Sequence, residues 1–136
     1  MDLKTKIRKR LIILENDEEF PYIDDSQNIT IGIGYNLTAN GLPSEMRVKL
    51  CDDHIQFCYE KLCSFPWFEC LNEGRQTALI DMVYQMGWSG FLKFREMLGY
   101  ISEGDFISAG KEMLNSKYGT KYHTRAHKNY DLLISG

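Results

Sequence analysis

The chain has 136 residues, 43% of them hydrophobic and 26% charged, with a formal net charge of −3. That length suits one domain with its own core, so folding needs neither disulfides nor a metal. The mild acidity argues against a general nucleic-acid binder. No apolar run approaches the ~18 residues of a membrane span, and the charged start, Met1 to Arg10, reads as no secretory signal.

Leu3, Ile7, Leu11 and Leu14 recur at helical spacing. They predict a first helix from about Asp2 to about Asn16, with Pro21 barring any continuation. The period then changes. In Ile29-Thr30-Ile31-Gly32-Ile33-Gly34 the isoleucines alternate with smaller residues, as in a half-buried strand. Asp25-Ser26-Gln27-Asn28 supplies turn residues ahead of it. A small antiparallel hairpin or three-stranded sheet is expected over 20–38.

Asn40-Gly41 breaks the chain, and Pro43 suits the first turn of the next helix. Val48, Cys51, Ile55, Cys58 and Leu62 form one stripe, so this helix should reach about Ser64 before Phe65-Pro66-Trp67-Phe68 ends it. Asn72 is a candidate N-cap. The segment after it, with Ala78, Leu79, Ile80, Met82, Val83 and Met86, is apolar nearly all round, which predicts a buried helix stopped at Gly87. Shorter helices are expected near 90–98, 104–115 and 124–134. The layout is α+β, mostly helical with one small antiparallel sheet near the N-terminus.

Several features have plain structural explanations. Cys51 and Cys58 lie two helical turns apart, ~10 Å, too far to bond each other. All four cysteines are expected as buried free thiols. Trp67 and Trp88 are expected to pack rather than stack on a ligand. His123 and His127 share a helix face but have no third ligand at metal spacing, so no metal or other cofactor is expected. Gly32-Ile33-Gly34 is no dinucleotide loop, because Leu37 stands where the third glycine would be.

The chemistry is sought among six carboxylates in eleven residues: Glu15, Asp17, Glu18, Glu19, Asp24 and Asp25. Glu15 ends the first helix, Asp24 begins the hairpin and Thr30 lies on the following strand. Cleaving a glycosidic bond needs one carboxylic acid to protonate the leaving oxygen and one carboxylate on the opposite side. A hydroxyl can hold water there without adding a third charge.

The residues around these three carry a resemblance. Glu15, Tyr22-Ile23-Asp24, Thr30-Ile31-Gly32-Ile33-Gly34 and Leu37-Thr38 resemble the active-site signature of the phage-type lysozymes, glycoside hydrolase family 24. Arg75, Ala78-Leu79-Ile80-Asp81-Met82-Val83-Tyr84-Gln85-Met86-Gly87, Phe94, Met97-Leu98 and Arg125-Ala126 follow in the family's order.

The resemblance covers about residues 11 to 130. It implies a two-lobed lysozyme fold. A sheet-bearing lobe (about 14–42), a connecting helix (about 43–64) and a helical lobe (about 65–136, with the N-terminal helix) would flank a peptidoglycan cleft.

By position the family's roles fall as follows. Glu15 would be the general acid, Asp24 the second carboxylate and Thr30 the residue that helps place the attacking water, with inversion at the anomeric carbon. Register favours Asp24 over Asp25. Arg125 falls where the family has an arginine near the catalytic glutamate. Asn36, Tyr84, Met97 and Glu112 fall on the saccharide site, with Gln85 beside it.

The implied activity is hydrolysis of the β-1,4 bond between N-acetylmuramic acid and N-acetylglucosamine. The implied setting is host lysis by a phage endolysin: a monomer held in the host bacterial cytoplasm and released by a separate holin-like protein, without membrane insertion. A tail-associated enzyme, a lytic transglycosylase and a non-catalytic wall-binding protein are the alternatives. One departure stands out. Tyr35 replaces a histidine that pairs in the family with an aspartate on the connecting helix, where this chain has His54, so a Tyr35–His54 hydrogen bond is expected instead.

Overall fold

The computed structural model describes residues 1–136. Helix α1 spans Leu3–Glu15. Asp2 caps it by accepting from the Thr5 N–H at 2.8 Å, which satisfies one of the otherwise orphaned first-turn donors. It ends where Asn16 turns to φ 66 and returns its N–H to the Ile12 carbonyl at 2.9 Å.

Strands β1 (Glu18–Ile23), β2 (Ile29–Gly32) and β3 (Tyr35–Asn36) follow as one antiparallel sheet in the order β1-β2-β3. Pro21 lies inside β1, an edge strand, where its missing N–H is tolerated, and the register slips between Glu18 and Tyr22.

The alternation expected of β2 is reversed at its first two residues. Ile29 is exposed while Thr30 is 4% exposed. The strand is also shorter than expected, because Gly32 and Gly34 adopt φ 64 and 63 and turn the chain into β3. Asn36 then caps a single-turn helix α2 (Leu37–Asn40), accepting from Ala39 N–H at 2.9 Å. One turn is too short to leave a periodicity in the sequence.

Helix α3 runs Ser44–Leu62, opened by Pro43, whose carbonyl accepts from Met46 and Arg47. A 3₁₀ turn (Phe68–Cys70) leads to α4 (Glu73–Phe91), capped as expected by Asn72, whose side chain accepts from Arg75 N–H at 2.9 Å. Gly87 leaves helical geometry at φ 80, ψ 163, and one further turn follows it.

The helix expected near 90–98 therefore starts later, as α5 (Arg95–Ser102). Phe91, fully buried and stacked on Trp88, ends the restarted turn. Then come α6 (Phe106–Asn115), α7 (Lys117–Lys121, capped by Ser116 and not anticipated) and α8 (His123–Ser135). No helix is long and apolar enough to cross a membrane.

By contacts the chain forms two compact units, Met1–Lys49 and Leu50–Gly136. The first holds α1, the sheet and α2. No residue of α1 is buried, and Leu3, Ile7 and Leu11 line an open hollow of about 430 Å³ with Ile33.

The second unit holds the large core. Leu62, Phe68, Leu79, Met82, Phe91 and Met113 are fully buried there. Helix α4 packs on α8, and α6 packs on both α5 and α8. Gly110 makes the last of these contacts possible, since a Cβ there would come within 2.7 Å of the Tyr130 ring.

Helix α4 is not buried all round as expected. Ala78, Leu79, Met82 and Val83 face the core, while Tyr84 is 39% exposed. The cysteines are all free, but only Cys58 is fully buried and Cys70 is exposed. Cys63 directly follows α3, Cys70 ends its 3₁₀ turn, and Cys51 lies mid-helix in α3, partly exposed. Burial pushes the Cys58 thiol up from its ordinary value. Trp67 and Trp88 pack as expected, stacking or tilting against Phe65 and Phe91.

Arg75 ties three elements of this unit together. Its Nε donates to the Leu133 carbonyl at 2.8 Å, its Nη2 to Ile134 at 3.3 Å, and its guanidinium lies 3.6 Å over the Phe106 ring. Arg75→Ala is expected to cost about 2 kcal/mol in urea unfolding, from two lost bonds to a helix C-terminus and one stacked cation. Arg75→Lys should recover only part of it, because an ammonium cannot reproduce the planar fork.

Candidate active site

Glu15 is the last residue of α1 and is exposed. Asp24 opens the β1–β2 turn. Its Oδ1 accepts from the backbone N–H of Ser26 at 2.9 Å and of Asn28 at 2.8 Å. Its own N–H donates to the Asn28 carbonyl at 2.9 Å, and Gln27, at φ 66, donates back to the Asp24 carbonyl. The bond from the Asn28 N–H, above all, holds the Asp24 carboxyl below the usual carboxylate range, against a weaker push from desolvation. Asp24 is therefore ionised at neutral pH. These bonds close the turn, and they also hold the carboxylate in one orientation.

Thr30 lies on the central strand. Register pairs it with Tyr22 on β1 and Asn36 on β3. Its hydroxyl is 3.3 Å from the Asn28 carbonyl and 3.5 Å from Asp24 Oδ2. The sheet thus gathers Asp24, Thr30 and Asn36. The Asn36 side-chain oxygen is occupied in capping α2. Asn28, which holds Asp24 from the far end of the turn, was read only as a turn residue from the sequence.

In the second unit, Tyr84 and Arg125 line one hollow of about 420 Å³, walled by Cys51, Ile55 and Ile80 with Thr77 and Asp81 at its edge. Arg125 forks onto Asp81, its Nε at 2.9 Å and its Nη2 at 2.8 Å. Asn129, buried, donates to Asp81 at 2.8 Å and is 2.9 Å from the Tyr118 hydroxyl. Burial pushes the Asp81 carboxyl up, but the bonds from Arg125 and Asn129 outweigh it and hold it low. The same pairing pushes Arg125 up. The Cys51 thiol beside Tyr84 pushes that phenol up.

The sequence assigned Asp81 no role, and its partner lies 44 positions away. Asp81→Ala is expected to cost about 1–2 kcal/mol at pH 7, since the pair is partly exposed while Asn129 loses a buried acceptor. A carboxyl held low in the folded state stabilises above its unfolded pKa, about 4, and loses that effect as pH falls through the folded value. The gap between native and Asp81→Ala in denaturant unfolding should therefore narrow below about pH 4.

The remaining expected residues lie elsewhere. Met97 is 1% exposed and belongs to the core. With the exposed Glu112 it borders a separate hollow of about 150 Å³. Gln85 is half-buried, and its Oε1 has no hydrogen-bond partner.

Tyr35 donates to the Gly41 carbonyl at 2.6 Å, six residues on. His54 stacks on Phe57 and meets Tyr84 edge-on. His123 and His127 lie with ring centroids 4.3 Å apart, and no three His, Cys, Asp or Glu side chains gather as metal ligands.

A small antiparallel sheet following one helix, with a large helical remainder, makes this an α+β protein, a layout consistent with a lysozyme fold. Comparison with known proteins gives the relationship. The chain is similar to "Probable T4-type lysozyme 2" of Dictyostelium discoideum, 26% identical over 85% of each chain. It is also similar to "Probable T4-type lysozyme 1" of the same organism, 32% identical over 51% of this chain and 41% of that one. No family model matches the chain. The chain is thus similar to proteins named as T4-type lysozymes.

Proposed function

We propose that the protein is a muramidase that hydrolyses the β-1,4 bond between N-acetylmuramic acid and N-acetylglucosamine in bacterial peptidoglycan. The observation that carries this reading is the Asp24–Thr30 arrangement. An ionised carboxylate is held by turn N–H groups, with a hydroxyl 3.5 Å away on the neighbouring strand.

In this reading Glu15 protonates the glycosidic oxygen as the bond breaks. Asp24 and Thr30 hold a water on the opposite face of the sugar. The water attacks the anomeric carbon, its proton passes to Asp24, and the configuration inverts. Asn36 lies across the sheet from Thr30 and would bind the same sugar. Tyr84 and Arg125 would contribute an aromatic face and a cation to further sugar contacts, with Gln85, Met97 and Glu112 as the remaining proposed binding residues.

The setting belongs to the proposal: a monomeric endolysin, held in the host cytoplasm until a separate holin-like protein releases it to the wall.

Product analysis on purified peptidoglycan tests the reading. Reducing muramic-acid ends, released first as the α-anomer, are the expected result. Anhydro-muramic ends would make the protein a lytic transglycosylase. Wall binding with no product would make it a non-catalytic wall-binding protein.

A further inference from the structure

Gly32 and Gly34 flank Ile33 where β2 turns towards β3, and both hold a left-handed backbone, φ +64 and +63. Such a φ favours glycine at either position. The two differ in their surroundings. A Cβ built on Gly32 meets nothing within 4 Å. One built on Gly34 would lie 2.7 Å from Glu15 Oε2, 2.9 Å from its Cδ and 2.9 Å from its Cβ. The Glu15 side chain therefore lies along the bare Cα of Gly34, from its first carbon to its carboxylate. Gly34 has a reason to be glycine that Gly32 lacks.

We propose that Gly34 is a positioning residue for the general acid, its missing side chain being the seat on which the Glu15 carboxyl rests. The proposal depends on reading Glu15 as the acid. A general acid must lie within about 2.6–3.2 Å of the oxygen it protonates. Ordinary contact with a Cβ begins at 3.4 Å and the Oε2 would lie at 2.7 Å, so alanine at position 34 would force the carboxyl oxygen to move by at least 0.7 Å. A displacement approaching ~1 Å costs on the order of 100-fold in rate. Substrate affinity rests on other residues and should change little.

The two glycines provide their own control. Gly32→Ala carries the backbone strain alone, whereas Gly34→Ala carries the strain and the displacement. In the full chain both variants should lose stability, Gly34→Ala somewhat more because of the contact. Gly34→Ala should lower kcat about 100-fold with KM nearly unchanged, and should shift the Glu15 carboxyl ¹³C resonance. Gly32→Ala should keep kcat within a few-fold and leave that resonance in place. Equal losses of kcat in the two variants would overturn the proposal, as would an unmoved Glu15 resonance in Gly34→Ala.

A double-mutant cycle with Glu15→Ala gives an arm independent of activity. Gly34→Ala should cost less stability once the Glu15 carboxyl is gone, and additive losses would count against the seat. If the native protein cleaves no peptidoglycan, the muramidase reading fails and the catalytic part of this proposal with it. The resonance and the cycle still decide whether Gly34 seats Glu15.

Discussion

Glu15→Gln is expected to lower the rate of peptidoglycan cleavage by about 10²–10⁴-fold, the usual contribution of a positioned proton donor. The amide keeps the shape of the carboxyl and so keeps the contact with Gly34, but it has no proton of suitable acidity to give. KM should stay close to native, because the step affected is protonation of the leaving oxygen rather than binding.

Folding should not suffer. Glu15 is exposed at the C-terminal end of α1, where a carboxylate meets the negative end of the helix dipole. Neutralising it should stabilise the protein by about 0.3–1 kcal/mol. Initial rates of reducing-end release, measured beside thermal unfolding, check both parts. Activity within tenfold of native would remove Glu15 from the acid role.

The largest expected loss of stability comes from Phe68→Ala, about 3–5 kcal/mol. Phe68 sits in the 3₁₀ turn before α4 and is fully buried. Its ring meets Tyr59 edge-on, with centroids 5.6 Å apart, a favourable aromatic geometry. Its carbonyl accepts from Gln76 Nε2 at 3.1 Å, which fixes the turn to α4. Truncation removes the ring and leaves a cavity in a close-packed interior that relaxes only in part. Phe68→Leu keeps most of the volume and should lose less than half as much. Urea unfolding of the two variants measures the difference, and a loss below about 1 kcal/mol in Phe68→Ala would mean that the site collapses onto its neighbours.

Legibility varied with the range of the interaction. The stripe Val48, Cys51, Ile55, Cys58, Leu62 placed α3 to within two residues, because a helical period is written in residues three and four apart. Asn72 was recognisable as a cap because its bond spans three positions. Helices α2 and α7 left no period because each is about one turn long. The isoleucines of β2 misled because alternation says which residues share a face, not which face is covered. The chain turns at Gly32 and Gly34 and leaves Thr30, not Ile29, on the covered side.

By itself the sequence determined the element types and the main caps, since propensity and capping act over a few neighbours, while the three candidate catalytic residues were marked by the resemblance of the motifs around them. Only the tertiary structure decided which contacts those residues make. It set the Asp24 carboxylate on the N–H groups of Ser26 and Asn28, laid Glu15 on Gly34, turned Tyr35 to Gly41 and paired Arg125 with Asp81. Which acceptor a hydroxyl or guanidinium meets depends on the turn angles and packing that bring it there, and chain order does not encode those one residue at a time.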